Sequence, residues 1–303
     1  MFAAKRGENL TGIIVLNKPE GITSFRAIAI LRRILNEKKI GHSGTLDPMA
    51  TGVMTVLAGG ATRFCELLPS HDKAYEATLK LGITTDTLDI TGEVTNTRQV
   101  TSTAEDFRKA CDGFKGEITQ VLPMYSAVSV NGRRLYDLAR EGKEVERPER
   151  QVTIYKLEVT DINEKENEYK IYVECSSGTY IRTLIADIGE VLGCGAVLTK
   201  LNRVKANGFN ISEAVTIEEL EEAAKEGSLK LMSVDKALSE YPEVTVSEAQ
   251  AKRFSNGGEL SLERVRNCKA KGLYRVYGPD DKFLGIGDND GSENLNVKRV
   301  YVG

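Results

Sequence analysis

Asp47 stands between Leu46 and Pro48 in GHSGTLDPMATGVMTVLA, residues 41–58, and His42, one of only two histidines in the chain, lies five positions before it. A carboxylate here is a candidate nucleophile, acid or base. Pro48 restricts Asp47 to extended or turn backbone. Gly41, Gly44 and Gly52 let the chain turn tightly and let a ligand come close. The run VMTVL from Val53 reads as a short buried strand. The aspartate therefore sits on a stiff loop before a strand, a reasonable seat for catalysis. The same pattern also makes an ordinary Asp-Pro turn, and the residues alone leave both readings open.

Other groups of interest are spread along the chain. Lys18 falls in a turn, residues 17–21, at the end of a buried strand; such a lysine either meets a phosphate or carboxylate or lies in solvent. Tyr75, Ala77, Leu79 and Leu81 alternate with Glu76, Thr78 and Lys80, the pattern of a half-buried strand. On that pattern Tyr75 is a core tyrosine with its hydroxyl at an edge. Asp86 and Asp89 in TTDTLDITG either bind a cation or cap their own loop. Arg182 falls in the first turn of a helix expected over residues 180–192. A cation there opposes the helix dipole by a few tenths of a kcal/mol or more. It calls for an acidic partner elsewhere, in a structural or a catalytic ion pair.

The elements that must position these groups follow from periodicity. Residues 12–16 read as a buried strand, and Thr23 or Ser24 caps a helix whose apolar face carries Phe25, Ile28, Leu31 and Ile34. A short helix is expected at 61–68, and another begins at Thr103 with Asp106 as a near capping box. Asn131-Gly132 marks a hairpin, and residues 135–140 a short helix stopped by Gly142. Strands 152–162 and 169–176 pair, and 196–201 is a further apolar strand. Thr216 caps an amphipathic helix that Gly227 ends. Beyond Tyr241-Pro242, short strands split by Gly- and Asp-rich turns form a compact, barrel-like β unit of about 60 residues. The domain boundary is placed near 241, giving units 1–240 and 241–303 with an insertion at about 125–150.

Composition narrows the class. The chain has 303 residues, 41% apolar and 28% charged, ordinary for a soluble globular protein. No run approaches the ~18 apolar residues of a membrane span, and the N-terminus lacks an apolar signal core. A cytoplasmic protein is expected. Five dispersed cysteines without a C-x-x-C pair argue for reduced thiols, not disulfides or zinc. A net charge of −3 does not advertise nucleic-acid binding. Basic residues nevertheless crowd two segments: Arg133, Arg134, Arg140, Lys143, Arg147 and Arg150, and Arg264, Arg266, Lys269, Lys271 and Arg275.

GHSGTLDPMATGV resembles the catalytic-loop signature of the TruB family of tRNA pseudouridine synthases. LNKPEGITS (16–24), KAYEATLKLG (73–82), TTDTLDITGE (84–93), LPMYSAVSVNGRRLYDLAREG (122–142) and CSSGTYIRTLIADIG (175–189) match in the same order, so the resemblance covers nearly the whole chain. It implies a mixed α/β catalytic domain around one long, largely antiparallel sheet, with the active site in a cleft over it. The C-terminal unit resembles a PUA-type RNA-binding domain. The implied reaction converts uridine 55 in the T loop of tRNA to pseudouridine, without metal or organic cofactor. Asp47 aligns with the family's catalytic aspartate, Arg182 with the arginine that pairs with it, and Tyr75 with the tyrosine that stacks on the target base. The substrate-binding set is His42, which helps displace bases, Lys18, which supports the site, Leu201 of the pocket floor, and Tyr180. The partner is the tRNA T stem-loop, met by a monomer, with no membrane involved. A clamp is assigned to about 125–150 and backbone grip to the C-terminal basic run. Two other readings were weighed: a non-catalytic tRNA-folding protein on this scaffold, and a glycosidase-like enzyme, disfavoured because no second carboxylate accompanies Asp47 in its loop. Where the family has Leu-Arg-Arg and a glycine six residues after the leucine, this chain has Leu201-Asn202-Arg203 and Asn207. Asn207 can take a left-handed backbone, so local change is expected there, not lost activity.

Overall fold

The computed structural model describes residues 10–126, 128–130, 132–143 and 145–302. The N-terminal residues 1–9 and Asn131 of the expected turn, both used above, lie outside the described residues. Among the described residues, no helix is long and apolar enough to cross a membrane.

Strand β1 (Gly12–Lys18) runs into a turn and helix α1 (Ser24–Leu35), capped by Thr23. Ala27, Ile28, Leu31 and Leu35 form its buried stripe, while Phe25 is 67% exposed. A strict three-residue spacing drifts around a 3.6-residue helix, so Phe25 leaves the core face that its spacing had placed it on. Then come β2 (Ile40–His42), β3 (Thr51–Ala58), a 3-10 helix (Gly59–Leu67) where an α-helix was expected, and β4 (Lys73–Leu81). A hairpin of β5 (Ile83–Thr85) and β6 (Val94–Thr97) leads to α2 (Ala104–Asp112) with the capping box of Thr103 and Asp106. After β7 (Gly116–Val121), the insertion holds β8 (Ser129–Val130), β9 (Arg133–Arg134) and α3 (Leu135–Arg140) around a small cluster of Leu122, Leu135 and Leu138.

The long strands β10 (Glu149–Asn163) and β11 (Glu168–Cys175) pair, and α4 (Ile181–Val191) follows. It packs on β12 (Ala196–Ala206) through Gly189, where any Cβ would collide with Ala196. A two-residue strand β13 (Phe209–Asn210) turns back on β12 across Asn207, which takes the left-handed backbone at φ 56°. Helix α5 (Ile217–Lys225) carries the Thr216/Glu219 capping box, a feature worth about 0.5–2 kcal/mol. The short α6 (Val234–Ala237) completes this part.

The main sheet runs β1-β3-β12-β4-β11-β10-β7, with β2 on β3 and β13 on β12. Every pairing is antiparallel except β12 with β3. That parallel seam is short, Asn202 to Thr51 and Arg203 to Gly52. Gly52 has φ +101°, and a Cβ there would collide with the Arg203 backbone, so the seam requires glycine. Helices α1, α2, α4 and α5 cover one face over the largest apolar core.

The C-terminal unit contains β14 (Glu243–Thr245), α7 (Glu248–Ser255), β15 (Leu260–Ser261), β16 (Gly272–Tyr277), β17 (Phe283–Asn289) and β18 (Asn294–Val300). Its sheet order is β14-β16-β17-β18-β15 around Val244, Phe254, Tyr274 and Leu295. A separate apolar cluster joins it to the other face of β1 and β3: Phe283 and Ile286 meet Ile13, Val53, Leu57 and Phe64. Phe283 stands 6.2 Å from Phe64 and 5.4 Å from Tyr301 by ring centroids.

Candidate active site

Asp47 lies on the loop between β2 and β3, and three anchors hold that loop. From the start of α1, Ser24 Oγ donates to Leu46 O (2.9 Å) and accepts from Leu46 N (2.8 Å). From the end of β1, Lys18 is fully buried and its Nζ donates to Pro19 O, Ile22 O and Pro48 O. From β12, Arg203 donates to Gly44 O (3.1 Å) and Thr45 O (3.3 Å). Lys18 is thus not solvated: its ammonium is spent on backbone carbonyls that hold the loop. Burial lowers its pKa to about 8, against the pull of Asp47.

Arg182 enters from the first turn of α4 and is 4% exposed. Its Nε lies 3.0 Å from Asp47 Oδ2, and its Nη2 3.4 Å from Oδ1. Nη1 donates to Thr87 O (2.8 Å) and Nη2 to Tyr125 O (2.9 Å). Asp89 Oδ2 stands 3.6 Å from Nη1. The acidic partner demanded by the helix dipole is therefore a pair, Asp47 and Asp89. Asp89 also accepts from Thr87 Oγ1 and Thr91 Oγ1, so it caps its loop as expected, and the nearby cation is a guanidinium. Among the described residues, no cluster of His, Cys, Asp and Glu has metal-site geometry.

Burial raises the Asp47 carboxyl above the ordinary aspartate range; Arg182 opposes this, Asp89 adds to it and Lys18 opposes it again. Burial also raises the Tyr75 phenol, which the charge of Arg203 pulls back. His42 is lowered by burial and then by Arg203, so the ring is neutral at neutral pH. Its edge meets the exposed Phe25 ring, 6.4 Å between centroids.

Asp47, Tyr75 and Arg182 line a cavity of about 360 Å³ with Tyr125, Ser126, Gly178, Tyr180, Leu201 and Arg203. Asp47, Tyr75, Arg182, Tyr180 and Leu201 come together there; His42 and Lys18 do not line it. Gln120, missed in the sequence, is fully buried and clamps Tyr180, donating to its O (3.1 Å) and accepting from its N (3.0 Å). Arg203 was missed too, although it shares a strand face with Leu201, and a charge on an apolar face is a legible signal. A larger groove of about 1010 Å³ opens on residues that alternate with the site's own, including Glu76, Thr78, Tyr172, Lys200 and Asn202. Asn202 there donates to Glu76 Oε2 and lies 3.2 Å from Thr51 Oγ1.

The basic segments are partly spent. Arg133 and Lys143 both pair with Glu141, and Arg275 is bound by Glu243 (3.2 Å) and Tyr241 O. Arg264, Arg266, Lys269 and Lys271 are exposed.

Residues 32–181 match the TruB family pseudouridylate synthase N-terminal domain, 182–239 the tRNA pseudouridylate synthase B C-terminal domain, and 242–301 the pseudouridine synthase II TruB C-terminal domain. The tRNA pseudouridine synthase B of Clostridium kluyveri is 45% identical over 291 residues, covering 95% of this chain and 99% of that protein. That of Pseudomonas putida F1 is 43% identical over 297 residues, 96% of each. A crystal structure of a Cbf5–Nop10–Gar1 complex aligns with TM-score 0.72 and 26% identity over 96% of this chain and 85% of that one.

Proposed function

The chain belongs to the TruB family of pseudouridine synthases, and on that premise we propose that Asp47, Tyr75 and Arg182 isomerise uridine 55 in the T loop of tRNA. It is a tRNA pseudouridine synthase, an isomerase acting on tRNA uridine. The observation that carries the residue assignment is the Asp47–Arg182 pair at 3.0 Å, facing a cavity that Tyr75, Tyr180 and Leu201 line.

In the reaction the N1–C1′ bond breaks and a C5–C1′ bond forms. The proton on C5 leaves and N1 gains one, so atoms and electrons balance without oxidant or reductant. Asp47 must be ionised, and Arg182 supplies the opposing charge that burial makes necessary. Its carboxylate either attacks C1′, as in retaining glycosidases, attacks the base, or takes a sugar proton. Tyr75 stacks on the base, worth ~1–3 kcal/mol, and assists the later proton transfer. A uridine inside a folded loop has to be extruded first, at a few kcal/mol. His42, neutral and backed by Phe25, fills the space vacated and offsets part of that cost.

Residues 1–240 form the catalytic unit in this reading and 241–303 an RNA-gripping unit, whose exposed Arg264, Arg266, Lys269 and Lys271 meet phosphates. The insertion at about 125–150 closes over the loop. The enzyme works in the cytoplasm as a monomer. Incubating an unmodified tRNA transcript with the protein in EDTA, then mapping by carbodiimide primer extension, tests the assignment. One stop at the T-loop uridine is expected, lost in Asp47→Asn. A stop elsewhere overturns the position, and modification by Asp47→Asn overturns the residue.

A further inference from the structure

We propose that Arg203 is a positioning residue of the reaction: its buried guanidinium locks the Tyr75 phenol and the Asp47 loop to one strand. This rests on the roles just given to Tyr75 and Asp47.

The register places it there. On β12, the Cα of Arg203 lies opposite Tyr75 on β4 and opposite Gly52 on β3. The side chain is 1% exposed. Nε donates to Val53 O at 2.6 Å, Nη2 to Gly44 O and Nη1 to Thr45 O, and Tyr75 and Arg203 line the same cavity. Two of those carbonyls precede Asp47 and one follows it. Ser24 and Lys18 hold the loop from the α1 side, so Arg203 closes the frame from the sheet side.

The charge itself is the unusual part. Among the described residues Arg203 has no ion-pair partner, whereas Arg182 has two. A buried cation without a counter-ion is costly, and an apolar side chain would fill the same space more cheaply. Packing therefore does not account for it. The charge falls on Tyr75, whose proton affinity it lowers, and on His42. Tyr75 and Arg203 thus sit side by side on adjacent strands, at the wall of the cavity that holds Asp47.

A double-mutant cycle on the full chain tests this, with single-turnover rate and tRNA affinity measured separately. Arg203→Gln should slow the wild type about 100-fold, the scale of a small misplacement, with affinity within threefold. In a Tyr75→Phe background the same change should cost under tenfold, because the two act as a unit. Arg203→Lys should recover part of the rate in the wild-type background alone. Independently of turnover, the ¹³C-labelled Tyr75 ring should titrate at higher pH in Arg203→Gln than in the wild type. If neither Arg203 variant folds, Tyr75→Phe must still shift the Arg203 guanidinium NMR signal. Equal losses in both backgrounds, an unmoved Tyr75 titration or an unmoved guanidinium signal overturns the proposal. A wild type that leaves tRNA unmodified, with the Tyr75 titration shifting as stated, would sink the uridine reading and leave the positioning role standing.

Discussion

The two concave sites on the main sheet differ in a way that volume does not register. The larger groove, about 1010 Å³, is bordered by polar groups that answer one another: Lys156 pairs with Glu158 at 3.0 Å, and the Asn202 amide donates to Glu76. The smaller cavity, about 360 Å³, contains groups held away from their ordinary states. Asp47 and Tyr75 are both pushed up by burial, and Arg203 has no ion-pair partner among the described residues. Burial shifts groups on the larger groove too, lowering Lys18 to about 8 and lifting Tyr172 to about 12, so what marks the smaller cavity is a carboxylate paired with a buried guanidinium beside a phenol.

Substitutions on the two sides should separate them sharply. Asp47→Asn should lower the single-turnover rate by roughly 10⁴-fold or more, with tRNA affinity retained. A carboxyl raised on folding burdens the folded state above that pKa and not below the unfolded one. The Asn variant should therefore melt at or above the wild-type temperature at neutral pH, and calorimetry checks this. Arg182→Gln leaves two carboxylates without their cation, so a destabilisation of about 3–5 kcal/mol in urea titrations is expected, with a rate loss of about 100-fold or more. The wild-type rate should fall as pH drops through an Asp47 pKa above the ordinary aspartate value, and Arg182→Gln should move that acid limb higher still. On the other face, Glu76→Gln should change stability by about 0.5 kcal/mol or less and leave the rate within twofold. A large rate loss there would erase the contrast.

Local structure was legible where neighbours in sequence decide it. The Thr103, Thr216 and Ser247 boxes involve residues three apart, and all three form. The sequence shows the Thr103 box and the Thr216 cap, and a short helix from Glu248 without its Ser247 box. The Arg182 argument worked because a helix dipole is also local. What escaped reading is held by contacts across the sheet. The residues around Lys18 leave it between an anion and solvent, because nothing nearby announces that Pro48, 30 residues on, will cover it. Asp89 looked like a loop cap and is one, but its second partner is 93 residues away on another element. Gln120 meets Tyr180 over 60 residues. Phe25 misled for the opposite reason: its spacing suggested the core, and helix geometry turned it outward.

The aromatic cluster of Phe64, Phe283 and Tyr301 has a consequence for substrate choice. It welds the C-terminal unit to the back of the very strands that carry the Asp47 loop, and Tyr241 adds a bond to Leu67 O at 3.0 Å. On the function proposed above, the two grips on the RNA stand a set distance apart, like the jaws of a gauge, and a limb of wrong length or bend should fail to seat, whatever its sequence.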